Sequence, residues 1–170
     1  HGAEQRSKVT VLSPDKDKNY LTKVPEIIQD KLPDIKDAWL SNLQSLNVCS
    51  QKGLVERFDS TIGAGTVFLP YGGRYQMTPV DGMVAKIPVL EGDTSTGTIM
   101  TYGYNPELAL WSPFHGAVYA VVESVARSVA LGGDYSKIRL TLQEYFEKLG
   151  KDRTKWGKPF SALLGAYLVQ

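Results

Sequence analysis

Cysteine, histidine and long apolar runs are nearly absent from this 170-residue chain, and each scarcity removes a class of function. One cysteine, Cys49, permits no internal disulfide and fits a reducing, cytoplasmic compartment. One cysteine and two histidines, His1 and His115, cannot furnish the four ligands of a zinc site. No Ser-His-Asp arrangement and no GxxxxGK[ST] phosphate loop can be read. No apolar stretch reaches the roughly 18 residues that span a bilayer. Neither sign of charge dominates, with 19 Lys and Arg against 18 Asp and Glu, a net of +1. That balance gives no electrostatic case for nucleic acid or for a membrane. The opening HGAEQRSK has no apolar core of a signal peptide and no initiator Met, and reads as a fragment or a processed product. What remains, 42% apolar and 22% charged residues, is the composition of one ordinary globular domain.

The pattern along the chain predicts an α+β fold, with a mixed or antiparallel sheet of about four strands packed against helices. Lys8–Leu12 alternates as an edge strand or the tail of a preceding domain, and SPDKDKNY is a charged linker. Ile35, Trp39, Leu43 and Leu46 recur at helical spacing, which predicts an amphipathic helix over Pro33–Leu46. Thr66–Pro70, Val84–Leu90, Thr98–Tyr104 and Ile138–Leu142 read as strands, with Pro88 marking an edge or a bulge. YGGRY and EGDTSTG read as loops, and Leu142–Leu149 as a short helix. Phe114–Leu131 predicts a helix stopped by Gly132-Gly133, and Pro159–Leu168 a strongly apolar terminal helix.

The Phe114–Leu131 segment is apolar or small on almost every face, as in a helix of the interior. A carboxylate in an interior is paired, hydrogen-bonded or metal-bound, which makes Glu123 the first candidate residue. The plain alternative is a pair with Arg127, one turn on. Glu91 and Asp93 follow a strand in LEGDTSTG, followed by Thr94, Ser95 and Thr96. A strand-end acid and a helix acid can together hold Mg²⁺, and the hydroxyls can donate to phosphate. The same loop reads equally as a solvated hairpin. His115 reads as a first-turn residue with its ring at the surface, or as a helper for phosphate at a helix N-terminus. Cys49 reads as a small packed residue.

Three stretches carry a resemblance to a known family. They are NVCSQKGLVERFDSTIGAGTV (47–67), YGGRYQMTPVDGMVAKIPVLEGDTSTGTIMTYGYNPELALWSPFHGAVYAVVESVA (71–126) and KIRLTLQEYFEKLGKD (137–152). In order and spacing, from about Lys23 onward, the chain resembles phosphoribosylformylglycinamidine synthase, the glutamine-dependent ligase of purine biosynthesis, and above all its large single-polypeptide bacterial form. Ser50-Gln51-Lys52 to Phe58-Asp59 are similar to the segment opening one of that family's aminoimidazole-ribonucleotide-synthase-like halves. Tyr102-Gly103-Tyr104-Asn105-Pro106 through Pro113-Phe114-His115-Gly116-Ala117 are similar to its DxNPxxxxPxxGA segment.

The resemblance implies a joining segment over 1–31. It implies the N-terminal half of the second such unit over 32–170, with a sandwich-like α+β fold cut short at its C-terminus. It implies an ATP-dependent C–N ligase as the parent, making formylglycinamidine ribonucleotide with glutamine as nitrogen donor through a glutaminase domain. The fragment alone is expected to be inactive, and no residue in it is assigned a catalytic role. Cofactors implied are Mg²⁺ and ATP or ADP. Glu91 and Lys52 are the implied nucleotide-binding residues, and Glu91 and Glu123 the implied metal ligands. Partners implied are the nucleotide, the rest of the parent polypeptide, and a second copy through the sheet, with neither nucleic acid nor membrane. Two departures bear on the site. Arg127 stands where relatives carry an Asn ligand, and a guanidinium cannot ligate Mg²⁺. Gln51 stands where they carry a nucleotide-contacting lysine, with Lys52 adjacent. A non-catalytic structural half with a degenerate auxiliary nucleotide site is the alternative. Selenophosphate synthetases and thiamine-monophosphate kinases share the superfamily but need a Gly- and Asp-rich loop that this chain lacks.

Overall fold

A computed structural model describes residues 8–22, 33–46 and 48–170. The expectations for His1 and for residues 23–32 lie outside the described residues. The fold is α+β, but among the described residues the single four-stranded sheet is not formed. Two separate two-stranded antiparallel ladders stand instead: one pairs parts of the expected Val84–Leu90 and Thr98–Tyr104 strands, and the other pairs Tyr71–Gly72, which open the YGGRY stretch expected as a loop, with Thr78–Pro79. The chain divides into two compact units. One holds the described residues of His1–Lys23, Tyr102–Ala126 and Ser136–Gln170, the other those of Val24–Thr101 and Arg127–Tyr135. No described helix is long and apolar enough to cross a membrane.

In the second unit, helix α1 spans Ile35–Gln44, started by Asp34, whose carboxylate accepts the Asp37 N–H at 3.0 Å. It is shorter at both ends than the apolar spacing predicts. Its stripe residues Ile35, Trp39 and Leu43 are exposed. A short helix α2 covers Lys52–Val55. Strands β1 (Tyr71–Gly72) and β2 (Thr78–Pro79) form a small hairpin, whose turn places Gly73 at φ 79° and Gln76 at φ 51°. Strands β3 (Met83–Lys86) and β4 (Gly97–Met100) pair Val84 with Ile99 and Ala85 with Thr98. Val84 is the buried residue of this ladder. β3 stops two residues before Pro88, which has no N–H for a ladder. The predicted strand Thr66–Pro70 contributes only a bridge from Thr66 to Ala85, and the Val67 N–H reaches the Val84 carbonyl at 2.9 Å.

In the first unit, helix α3 (Pro106–Trp111) is capped by Asn105, whose Oδ1 accepts the Leu108 N–H at 3.0 Å. Ser112 ends α3 and opens α4 (Pro113–Ala130), with Pro113 at the first helical position. A Cβ on Gly116 would lie 2.7 Å from the Ala109 Cα, so a glycine is what lets the two helices fold back on each other. The last turn of α4 lies in the second unit. Gly132 at φ 95° and the Gly133 N–H donating to the Ser128 carbonyl at 2.8 Å close it in the manner the paired glycines predict.

Helix α5 spans Arg153–Val169, starting six residues before the predicted Pro159. The reason is Asp152, whose carboxylate accepts the N–H groups of Thr154 at 2.8 Å and Lys155 at 3.4 Å and fixes the start. The buried face of α5 is Gly157, Ser161, Gly165 and Ala166, while Leu163, Leu164, Tyr167 and Leu168 are exposed. A Cβ on Gly157 would lie 2.7 Å from the Thr10 carbonyl carbon. Lys8–Leu12 therefore runs against α5, with the Thr10 N–H on the Arg153 carbonyl at 3.0 Å, rather than forming the predicted edge strand. Ile138–Leu142 and Leu142–Leu149 are irregular, neither the strand nor the helix their patterns predict.

Candidate functional site

Helix α4 is not the interior helix its composition predicts. Gly116, Val121 and Ser128 are buried, but Tyr119, Val122 and Val129 are exposed. Glu123 is half-buried. Its Oε2 accepts the backbone N–H of Tyr104 at 3.0 Å. Beside that bond the backbone at Gly103 lies on the helix, so that a Cβ there would overlap the Ala120 carbonyl and sit 2.9 Å from the Ser124 nitrogen. Glu123 thus fastens the Tyr102–Asn105 segment to α4. A carboxylate accepting a backbone N–H makes a charge-assisted bond, stronger than a neutral one. One turn on, Arg127 places Nε 3.9 Å from Asp81 Oδ2, with the Arg side chain 23% and the Asp side chain 65% exposed. An ion pair that open to water contributes modestly, about 0–1 kcal/mol.

Glu91 is exposed in the loop after β3, and Lys52 opens α2. Both belong to the second unit, whereas Glu123 belongs to the first. Lys52 Nζ lies 3.6 Å from Glu56 Oε1, 3.7 Å from Met77 Sδ and 6.0 Å from the Tyr71 ring centroid. Gln51, where the resemblance leads one to expect a lysine, donates to the Leu46 carbonyl at 3.0 Å. Asp93 is held by Lys86, which reaches both carboxylate oxygens at 2.8 Å. That bond, then the backbone N–H of Thr94, keeps its carboxyl below the usual range. The Thr94 hydroxyl accepts the Thr96 N–H at 3.0 Å, so part of EGDTSTG is a self-bonded turn. Cys49 is half-buried and free, its thiol 3.9 Å from the Leu46 carbonyl. Among the described residues no three His, Cys, Asp or Glu side chains gather as a metal site.

Of the two expectations for His115, a ring at the surface or a helper for phosphate at the helix N-terminus, the first is corrected in part, since the structure half-buries the residue. Ser112, 2% exposed, accepts the His115 N–H on Oγ at 3.3 Å, and the same Oγ lies 2.7 Å from Nδ1. The Trp111 ring sits 5.0 Å from the imidazole at a 31° tilt, and Phe114 meets it edge-on at 5.4 Å. This cluster lines a cavity of about 670 Å³ within the first unit, whose wall also includes Tyr104, Phe146 and the Glu147–Lys158 ion pair at 2.5 Å. Lys158 is the main reason the Glu147 carboxyl lies below its usual range. The sequence singles out His115 but not its companions Ser112, Trp111 and Phe114. The available signal was Ser-Pro-Phe-His, a cap, a first-turn proline and a histidine at the position whose N–H the cap receives.

Comparison with known proteins aligns the chain with one kind of enzyme. It is 32% identical over 119 residues to the phosphoribosylformylglycinamidine synthase subunit PurL of Leptospira biflexa serovar Patoc, covering 67% of this chain and 14% of that protein. It is 29% identical over 102 residues to the same subunit of Picrophilus torridus, covering 59% of this chain and 13% of that protein. To the Methanosarcina barkeri subunit it is 24% identical over 126 residues, covering 72% and 16%. The chain therefore spans about one seventh of the length of the curated relatives it matches. These names are those of a subunit, whereas the sequence resemblance leans towards the single-polypeptide form. No protein-family model matches the chain, and no solved structure matches it.

Proposed function

We propose that this chain is a structural segment of a phosphoribosylformylglycinamidine synthase. In this reading residues 32–170 are the N-terminal half of its second aminoimidazole-ribonucleotide-synthase-like unit, and the stretch before them is the joining segment. The parent is a cytoplasmic, ATP-dependent ligase that takes glutamine nitrogen to make formylglycinamidine ribonucleotide, and the segment carries no catalytic residue. The similarity over 119 residues to a named subunit supports the parent. One observation carries the structural role. The Glu123 carboxylate, an implied Mg²⁺ ligand, accepts the Tyr104 backbone N–H, and Arg127 follows where the other helix ligand is expected.

The residues present therefore do not fit the family's metal cleanly. A guanidinium offers no lone pair, and a carboxylate oxygen that closes a backbone bond is a poorer ligand. A second reading keeps a working site for Mg²⁺ and ADP at Glu91, Glu123 and Lys52. It is favoured by Glu91, which is exposed and has no hydrogen bond or ion pair from its side chain among the described residues. Remaining partners are the rest of the parent polypeptide and a second copy paired through a sheet edge. A single boundary at monomer mass in sedimentation would remove the second copy.

Calorimetric titration of MgADP into the chain separates the two readings. The structural reading expects no saturable heat at millimolar nucleotide in either the native chain or Glu123→Gln. Saturable heat that Glu123→Gln abolishes would establish the working site and overturn the structural reading. The parent assignment is tested separately, by assaying the whole gene product for ATP-dependent formation of the amidine from ammonia. Absence of that reaction in a folded product would refute it.

A further inference from the structure

The cavity lined by Ser112 and His115 in the first unit belongs to neither reading of the Glu91–Glu123 site, since neither Glu91 nor Glu123 lines it. Its volume, about 670 Å³, lies within the range of small-molecule pockets, roughly 300–1,000 Å³. Three observations define what it can hold. The first is a fixed histidine donor. The Ser112 Oγ accepts the His115 N–H, and among the described residues its own proton has one acceptor within reach, His115 Nδ1 at 2.7 Å. Ser112 is 2% exposed, so water does not readily take that proton. A buried hydroxyl left without an acceptor is costly. The Ser112 O–H therefore donates to Nδ1, and the neutral imidazole carries its hydrogen on Nε2. That N–H has no partner among the described residues. Trp111 and Phe114 hold the ring at centroid distances of 5.0 and 5.4 Å, so the donor is set in place before any ligand arrives.

The second observation is the aromatic lining of the wall. Trp111, Phe114 and Phe146 are half-buried aromatic rings lining one cavity, and such surfaces suit a planar partner. The third is charge. The lining carries Asp15 and Glu147 against Lys158 alone, two negative charges to one positive, and Lys158 is already paired with Glu147 at 2.5 Å. A phosphate or carboxylate would meet net like charge there. We propose that this cavity is a binding site for an uncharged planar aromatic ring bearing a carbonyl, with the carbonyl oxygen accepting from His115 Nε2–H. The site is distinct in residues and in charge preference from the nucleotide site the family resemblance implies.

The test uses the full chain with benzamide, a neutral ring with one carboxamide, and benzoate, its anionic counterpart. Binding is read by saturation-transfer NMR and by the shift of the Trp111 indole N–H. Benzamide is expected to saturate in the millimolar range, and benzoate to bind at least about threefold more weakly. His115→Phe keeps an aromatic ring and removes the donor, and is expected to weaken benzamide about tenfold, the loss of one good hydrogen bond. His115→Gln restores an N–H donor and is expected to recover most of that loss. Leu164→Trp, which fills the cavity from α5 and leaves the helix start untouched, is expected to abolish binding in a folded chain. The proposal is overturned if benzamide does not saturate, if a folded His115→Phe or Leu164→Trp binds it like the native chain, or if benzoate binds more tightly.

Discussion

Replacing Gly103 by alanine tests the junction on which the reading of Glu123 rests. Gly103 does not sit at positive φ, so alanine is allowed by the backbone, and the only obstacle is space. The added Cβ would overlap the Ala120 carbonyl oxygen and lie 2.9 Å from both the Ala120 carbonyl carbon and the Ser124 nitrogen. Ordinary contact is about 3.5–4.0 Å. The obstructing atoms are helix backbone and cannot rotate away as a side chain would, so the Tyr102–Asn105 segment must lift off the helix. Overpacking of this kind costs about 1–3 kcal/mol. Lifting the segment also stretches the Tyr104 N–H···Glu123 bond, worth about 1 kcal/mol for a half-exposed acceptor. Reduced freedom of the unfolded chain returns about 0.4–1 kcal/mol. The net is a loss of roughly 1–4 kcal/mol, or about 2–16 °C in Tm for a chain of this size. Gly53→Ala is the control, because nothing lies within 4 Å of its Cβ position and it sits in α2. It should leave Tm unchanged or raise it slightly. Thermal melts followed by circular dichroism decide the matter. A Gly103→Ala melt within 1 °C of the native chain would show that the segment does not rest on α4, and the clamp would fall with it.

Two further outcomes follow from the same geometry. Glu123→Ala leaves the Tyr104 N–H without its acceptor and should cost about 1–2 kcal/mol in metal-free buffer, while Glu123→Gln, which keeps an acceptor oxygen, should cost under about 1 kcal/mol; equal losses would mean that the charge and not the hydrogen bond matters. Acid should weaken the start of α5. The Thr154 hydroxyl, then the N–H groups of Thr154 and Lys155, hold the Asp152 carboxyl below the usual carboxylate range. A depressed folded pKa gives stability that is complete above the unfolded value of about 3.9 and is lost as pH falls through the folded one. Tm should be flat from pH 7 to about 5 and fall below about pH 4, and Asp152→Asn, still a good cap, should flatten part of that fall. A slope unaffected by Asp152→Asn would assign the acid sensitivity to the other depressed carboxyls, Asp93 and Glu147.

What could be read from the residues was local chemistry, and what could not was the partner each surface finds. The start of α4 at Ser112-Pro113 and its stop at Gly132-Gly133 are properties of a few adjacent residues. A cap accepts its own helix's N–H groups and a glycine takes the left-handed turn whatever surrounds them. The Val84–Leu90 and Thr98–Tyr104 patterns each yield half their length, because a ladder lasts only as long as both backbones supply it, and the shared register ends at Lys86 and Met100. Ile138–Leu142 alternates as well as either, yet alternation says which side chains share a face and not that a second backbone lies alongside. On α5 the apolar residues drew attention to the wrong face. Gly157, Ser161 and Gly165, spaced by four, are the buried stripe, since small residues admit the close approach of Thr10 and of Phe114 that leucines would block.

The same distinction governs the candidate site. Reading Glu123 as a carboxylate with something to hold was sound, since a half-buried acid on an apolar helix must satisfy its oxygens. Its choice of a backbone amide from Tyr104 depended on Gly103 lying flat on the helix between Ala120 and Ser124. That glycine stands in the sequence as an ordinary loop residue. Only the packing reveals that its missing side chain lets the segment lie on α4 with the Tyr104 amide 3.0 Å from the acid, a contact through which Glu123 fastens the chain.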